Sequence, residues 1–72
     1  MGMIQGMIRI NGEGAPLSAA TLAELLAQHG VAADGNGVAV ALNGQVVRRQ
    51  VWADTRLSAG DDVEIVRVRQ GG

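Results

Sequence analysis

Thr21-Leu22-Ala23-Glu24-Leu25-Leu26-Ala27-Gln28-His29-Gly30 is the stretch that decides the fold. Thr21 and Glu24 stand at the spacing of a capping box, in which the threonine hydroxyl accepts the Glu24 amide and the glutamate side chain returns to the Thr21 amide. Leu22, Leu25 and Leu26 fall at i, i+3 and i+4, which makes one apolar stripe on a helix, and Gly30 supplies the left-handed residue at which many helices end. The spacing predicts a short helix from Leu22 to His29 with a single face to bury. His29 is the only histidine. Its place in the last turn, beside the negative end of the helix dipole, assigns it a structural role rather than that of a base or metal ligand.

Outward from the helix the period changes to two. Met7 to Asn11 alternates through Ile8, Arg9 and Ile10 and predicts a half-buried strand, ended by a tight turn at Gly12-Glu13-Gly14. Ala15 to Ser18 reads as a weak second strand, near a sheet edge because Pro16 has no amide to donate. After the helix, Ala32 to Gly37 is a loop, and Val38 to Leu42 is a strand with Val38, Val40 and Leu42 on one face. Asn43-Gly44 signals a type I′ hairpin, and Val46 and Val47 lie on the returning strand. Arg48 to Ser58 has mixed period and reads as a turn-like crossover that points Trp52 and Leu57 inward. Ala59-Gly60-Asp61 turns the chain once more, and Val63 to Val68 is the last strand.

The resulting order, ββαβββ, places one helix between two hairpins. Such a helix cannot build a doubly wound sheet, but it can lie across one face of a mixed sheet and bury its leucines there. The expected class is therefore an α+β roll, and the same order occurs in the ubiquitin-like β-grasp fold, whose first and last strands are neighbours at the sheet's centre. Residues 7–68 form the expected domain. Residues 1–6, which precede a second start at Met7, read as an N-terminal extension, and residues 69–72 as a flexible tail.

A chain of 72 residues holds one domain, close to the smallest size at which an apolar core suffices. Its 47% hydrophobic and 18% charged residues describe a globular chain, and a net charge of −1 provides no basic field for nucleic acid. The longest apolar run, Val38 to Leu42, is far too short to span a membrane, and no signal-peptide pattern opens the chain, so a cytoplasmic location is expected. Without cysteine there is no thiolate nucleophile or sulfur ligand. One histidine and seven scattered acids assemble no catalytic set, and the adjacent Asp61 and Asp62 suit an exposed turn better than a metal site. The expectation is a protein that is not itself an enzyme.

The end of the chain offers chemistry of another kind. Gly71-Gly72 follows closely on a strand, and without Cβ atoms the two residues can enter a narrow channel and present a carboxylate to a partner's nucleotide. A carboxylate becomes electrophilic once adenylation makes its oxygen a leaving group, a step that a partner enzyme would perform with ATP-Mg, no cofactor being bound by the chain itself. Gly72 is thus the candidate reacting residue, with Gly71 and Gln70 giving access.

Met7-Ile8-Arg9-Ile10-Asn11-Gly12-Glu13, Thr21-Leu22-Ala23-Glu24-Leu25-Leu26, Val40-Ala41-Leu42-Asn43-Gly44, Arg49 with Trp52, Gly60-Asp61-Asp62-Val63-Glu64-Ile65-Val66 and Gly71-Gly72 together resemble the ThiS family of thiamine-biosynthesis sulfur carriers. The resemblance implies a β-grasp fold and a terminal glycine adenylated by a ubiquitin-activating-type, ThiF-like enzyme. It further implies that sulfur from a cysteine persulfide, drawn indirectly from a cysteine desulfurase or another persulfide donor, replaces AMP, and that the thiocarboxylate on Gly72 supplies a ThiG-like thiazole synthase. Arg69 departs from the pattern, standing where an apolar residue is expected. The alternatives are another sulfur carrier such as a molybdopterin-synthase small subunit, which the lack of Phe and Tyr disfavours, a ubiquitin-like protein modifier, or a β-grasp binding module.

Parity in the last strand adds a candidate surface. Val63 and Ile65 share one face, so Glu64, Val66 and Val68 share the other, and Ala39 and Ala41 lie opposite in parity to the buried side of their own strand. These five residues form the expected partner-docking patch on the open side of the sheet.

Overall fold

The computed structural model describes residues 6–32 and 34–68; the tail residues Arg69, Gln70, Gly71 and Gly72 and most of the N-terminal extension lie outside the described residues. The helix forms where its stripe and caps place it. α1 spans Leu22–Gln28, and the Thr21 hydroxyl accepts the Glu24 amide at 3.2 Å. The glutamate returns one residue earlier than the capping-box expectation, to the Ala20 amide at 2.9 Å rather than that of Thr21. The cause is tertiary: Thr21 is extended and bridges Arg56, with the Leu22 amide donating to Thr55 and the Leu57 amide to Ala20, and this pairing presents the Ala20 amide to the first turn.

At its other end α1 stops one residue before the expected His29, which becomes the cap. Gly30 takes φ +80°, its amide donating to Ala27 at 3.1 Å, and the Val31 amide donates to Leu26 at 3.0 Å. This pair of bonds is a Schellman closure, and it folds Val31 back onto Leu26 so that both are buried in the core.

Among the described residues five strands form one sheet in the order β2-β1-β5-β3-β4. They are β1 (Met7–Ile10), β2 (Glu13–Pro16), β3 (Val38–Leu42), β4 (Gln45–Val46) and β5 (Asp62–Arg67). β1 and β5 run parallel at the centre, and the other neighbours are antiparallel, which is the β-grasp arrangement. Between β4 and β5 a 3₁₀ helix, Arg49–Asp54, replaces the expected turn-like crossover, and the Trp52 indole N–H donates to the Val47 carbonyl at 2.9 Å.

The first hairpin corrects the sequence reading. Its turn is Asn11-Gly12, with φ +53° and +85°, not Gly12-Glu13-Gly14, and Ile10 pairs with Glu13. β2 therefore begins two residues before the expected Ala15. Asn11-Gly12 is the same two-residue, left-handed turn as Asn43-Gly44, where φ is +53° and +86°. Pro16 lies on the sheet edge, as expected. In the second hairpin β4 is only Gln45 and Val46 long, and just past its end the Val47 amide still donates to the Val40 carbonyl of β3 at 2.9 Å.

Leu22, Leu25 and Leu26 lie in one buried cluster with Ile8, Val40 and Val63 from the sheet, completed by Val31, Trp52 and Leu57. Ile65, expected in the core, is only partly buried. β1 ends at the Ile10–Val63 pair, so Ile65 has a strand neighbour on the β3 side alone. Gly6, assigned to the extension, accepts the Leu17 amide at 3.0 Å.

Leu25→Ala should cost about 2–5 kcal/mol through the cavity it opens, read from the urea midpoint. Unchanged unfolding would place the core elsewhere. Gly35, at φ +65°, abuts Trp52 so closely that a Cβ would lie 2.9 Å from the ring. Gly35→Ala should therefore destabilise by about 1–3 kcal/mol and shift the emission of this lone aromatic, whereas an unaltered spectrum and midpoint would refute the packing.

Candidate functional site: the open sheet face and the root of the tail

Pleating puts alternate residues of β5 and β3 on the side away from α1. Ala39 pairs with Val66 and Ala41 with Glu64 in the antiparallel ladder, so these four side chains share one face. Val66 is 56% exposed and Val68, just beyond the strand, 54%; Glu64 and Ala39 are exposed, and Ala41 is half-buried. The structure thus brings together the five residues that parity had grouped. It adds Val46, which pairs with Ala41 and is 79% exposed. The type I′ register at Asn43-Gly44, which sets Leu42 against Gln45 and so Ala41 against Val46, was the signal that could have found it.

The chain leaves this face toward the tail from a braced position. The Val68 amide donates to the Gly37 carbonyl at 2.7 Å. Arg67 lies opposite Val38, on the helix side of the sheet, and its Nη2 donates to the His29 carbonyl at 3.0 Å. A guanidinium at that position takes up a free carbonyl at the helix end and complements its negative dipole. Sequence reasoning missed Arg67, because no local spacing links it to a helix end thirty-eight residues earlier. His29 itself has a structural role: its Nδ1 donates to the Leu25 carbonyl at 3.0 Å.

Asp61 braces a turn. Its carboxylate accepts the Asn43 side-chain amide at 3.0 Å and the Ser58 backbone amide at 2.8 Å. Among the described residues no three His, Asp or Glu side chains converge as a metal site would require. No helix is long and apolar enough to cross a membrane among the same residues. The site the fold displays is a surface and a chain exit.

A family model described as the ThiS family matches residues 8–72. The chain belongs to the ThiS family. It is 42% identical over 66 residues to the sulfur carrier protein ThiS of Thermus thermophilus, covering 92% of this chain and all of that protein. The crystal structure of the thiamine biosynthesis protein ThiS from Geobacter metallireducens superposes with a TM-score of 0.74 at 32% identity, covering 92% of this chain and 99% of that one. The solution structure of a thiamine biosynthesis protein from the same organism gives 0.73 at the same identity, covering 92% of this chain and 87% of that one. The ThiS match runs through the tail, so Gln70, Gly71 and Gly72 fall within the matched span although they lie outside the described residues.

The face assignment has a direct test in stability. Val66→Asp should leave thermal unfolding within a few degrees of the parent, because the new carboxylate stays in water. Ile65→Asp, on the helix side, should destabilise by about 2 kcal/mol or more through burial of an unpaired charge. Equal losses for the two variants would reverse the assignment.

Proposed function

We propose that this ThiS-family protein is a sulfur carrier, a co-substrate rather than a catalyst, whose Gly72 carboxylate becomes a thiocarboxylate that supplies sulfur to the thiazole of thiamine. The observation that carries this reading is the match of residues 8–72 to the family, which includes Gly71-Gly72. The Thermus relative, a sulfur carrier protein, supports sulfur carriage, and the Geobacter thiamine biosynthesis protein supports the thiamine pathway.

In this scheme a ThiF-like adenylyltransferase with ATP-Mg lets the Gly72 carboxylate attack the α-phosphate, releasing pyrophosphate and forming an acyl-adenylate. The terminal sulfur of a cysteine persulfide, fed by a desulfurase, then attacks the acyl carbon and AMP departs. A second thiol cleaves the acyl disulfide, leaving the thiocarboxylate for a ThiG-like thiazole synthase. Gly71 and Gln70 pass through the partner's channel, and a glycine at 71 keeps that channel narrow. The reaction belongs to the cytoplasm, where the ATP and desulfurase are found.

Val66, Val68, Ala39 and Ala41, together with Val46, form the apolar patch that docks the partners, and Glu64 gives the patch a charge that fixes orientation. Exposed apolar side chains grouped on a small monomer mark an interaction surface more often than they arise by accident. The patch adjoins the chain exit at Val68, so docking there brings the tail to the partner's nucleotide.

Deleting Gly72, or adding one residue after it, should abolish ATP–pyrophosphate exchange with the activating enzyme while leaving unfolding unchanged, since the buried cluster among the described residues draws on none beyond Val63. Co-expression with that enzyme should produce an intact mass that shows one oxygen replaced by sulfur. A mass that never changes, or exchange that survives the added residue, would refute the carrier reading. Val66→Asp should block exchange in a folded protein, and normal exchange by that variant would remove the docking role.

A further inference from the structure

The sequence contains three Asn-Gly pairs: Asn11-Gly12, Asn36-Gly37 and Asn43-Gly44. In such a pair the backbone nitrogen of glycine can attack the asparagine carboxamide, because no Cβ on the following residue obstructs the approach. The structure treats the three pairs differently. Asn11 is held at both ends of its carboxamide, Oδ1 accepting the Ile65 amide at 2.8 Å and Nδ2 donating to the Ile65 carbonyl at 3.3 Å. Asn43 is held likewise, Oδ1 accepting the Asp62 amide at 2.9 Å and Nδ2 donating to Asp61 Oδ1 at 3.0 Å. Each of these carboxamides faces β5 or the turn that leads into it, and swinging it toward its own glycine nitrogen breaks two hydrogen bonds.

Asn36 has no such restraint. Its side chain makes no hydrogen bond among the described residues; only its backbone amide is bound, to Asp34 Oδ1 at 3.0 Å. It sits in the connection between α1 and β3, outside any strand or helix. Gly37, its nucleophilic neighbour, uses its carbonyl to hold the Val68 amide at 2.7 Å.

We propose that Asn36-Gly37 is a site of spontaneous succinimide formation that loosens the root of the tail as the protein ages. The Gly37 nitrogen attacks Asn36 Cγ and loses its proton, the Cγ–Nδ2 bond breaks and ammonia leaves with that proton, giving a cyclic imide. Water then opens either imide bond. One opening makes aspartate; the other makes isoaspartate, in which the main chain runs through Cβ and Cγ and is one methylene longer directly before Gly37. The Gly37 carbonyl is thereby displaced from the Val68 amide, and a carboxylate is added two residues from Asp34.

The test is incubation of the folded protein in warm, mildly alkaline buffer, followed by fragmentation of the peptide between Arg9 and Arg48, which carries all three asparagines. Isoaspartyl methyltransferase labelling provides a second readout. Asn36 should convert about tenfold or more faster than Asn11 and Asn43, the protection of those two reflecting their paired hydrogen bonds, and the three rates should converge in urea. A folded-state rate at Asn11 or Asn43 that equals or exceeds that at Asn36 overturns the proposal, as does an unmodified Asn36 in a chain that converts once unfolded.

The consequence for the tail rests on the carrier reading. Pyrophosphate exchange should fall as Asn36 converts and hold constant in Asn36→Ala, which cannot form the imide. Exchange that persists in fully converted protein overturns the link to the tail, and absence of exchange before incubation would instead count against the carrier reading alone.

Discussion

The parallel contact between β1 and β5 is the constraint on which the remaining structure depends, because it joins the two ends of the domain at the middle of the sheet. It is a short contact, limited to the pairs Arg9–Asp62 and Ile10–Val63. Beyond Ile10 the chain turns away, and the Asn11 carboxamide takes over, meeting both the amide and the carbonyl of Ile65. A side chain here continues a backbone ladder for one more residue. On the opposite side of β5, Asn43 does similar work at Asp61 and Asp62. Each asparagine therefore serves twice, once in a left-handed turn position that few residues tolerate and once as a brace on the central strand. Backbone groups that would otherwise face a gap in the sheet are satisfied, which is what a short central pairing requires.

A domain of this size has apolar side chains for one core. The leucine stripe of α1 and the inward residues Ile8, Val40 and Val63 use most of them, and Trp52 and Leu57 join the same cluster from the 3₁₀ segment and the stretch after it. The other face of the sheet is left to alanines and valines in β3 and β5. Their exposure follows from the strict alternation of a strand: with Val63 committed to the core, Glu64 and Val66 have no choice of side. The same parity that secures the fold thus determines the surface available to a partner.

Three elements converge where the chain leaves the domain. The Gly37 carbonyl holds Val68, the His29 carbonyl holds Arg67, and β3 pairs with β5 as far as Val38 and Arg67. For a ThiS-family carrier this fixes the origin of the tail relative to the open face.

Much of this protein was legible in sequence because the deciding signals are local. Helix α1 was readable from Thr21, its leucine stripe and Gly30; the second hairpin from Asn43-Gly44; and the open face from parity around Val63. The combination of these motifs with Gly71-Gly72 also indicated the family. What escaped depends on contacts between distant residues. Glu24 bonds the Ala20 amide because Arg56 pairs with Thr21, a contact no window around residue 24 contains. Asn11-Gly12 was overlooked as the first turn because three nearby turn formers compete locally, and the Ile8–Ala15 register of β1 and β2 resolves the competition. Arg67 at the end of α1 and Asn11 at Ile65 are partners only after the sheet has closed. Period, capping and turn chemistry act over a few residues, so the sequence by itself determined the elements and their faces. The choice of hydrogen-bond partner across thirty-eight or fifty-four residues is an outcome of packing, and only the tertiary structure decided it.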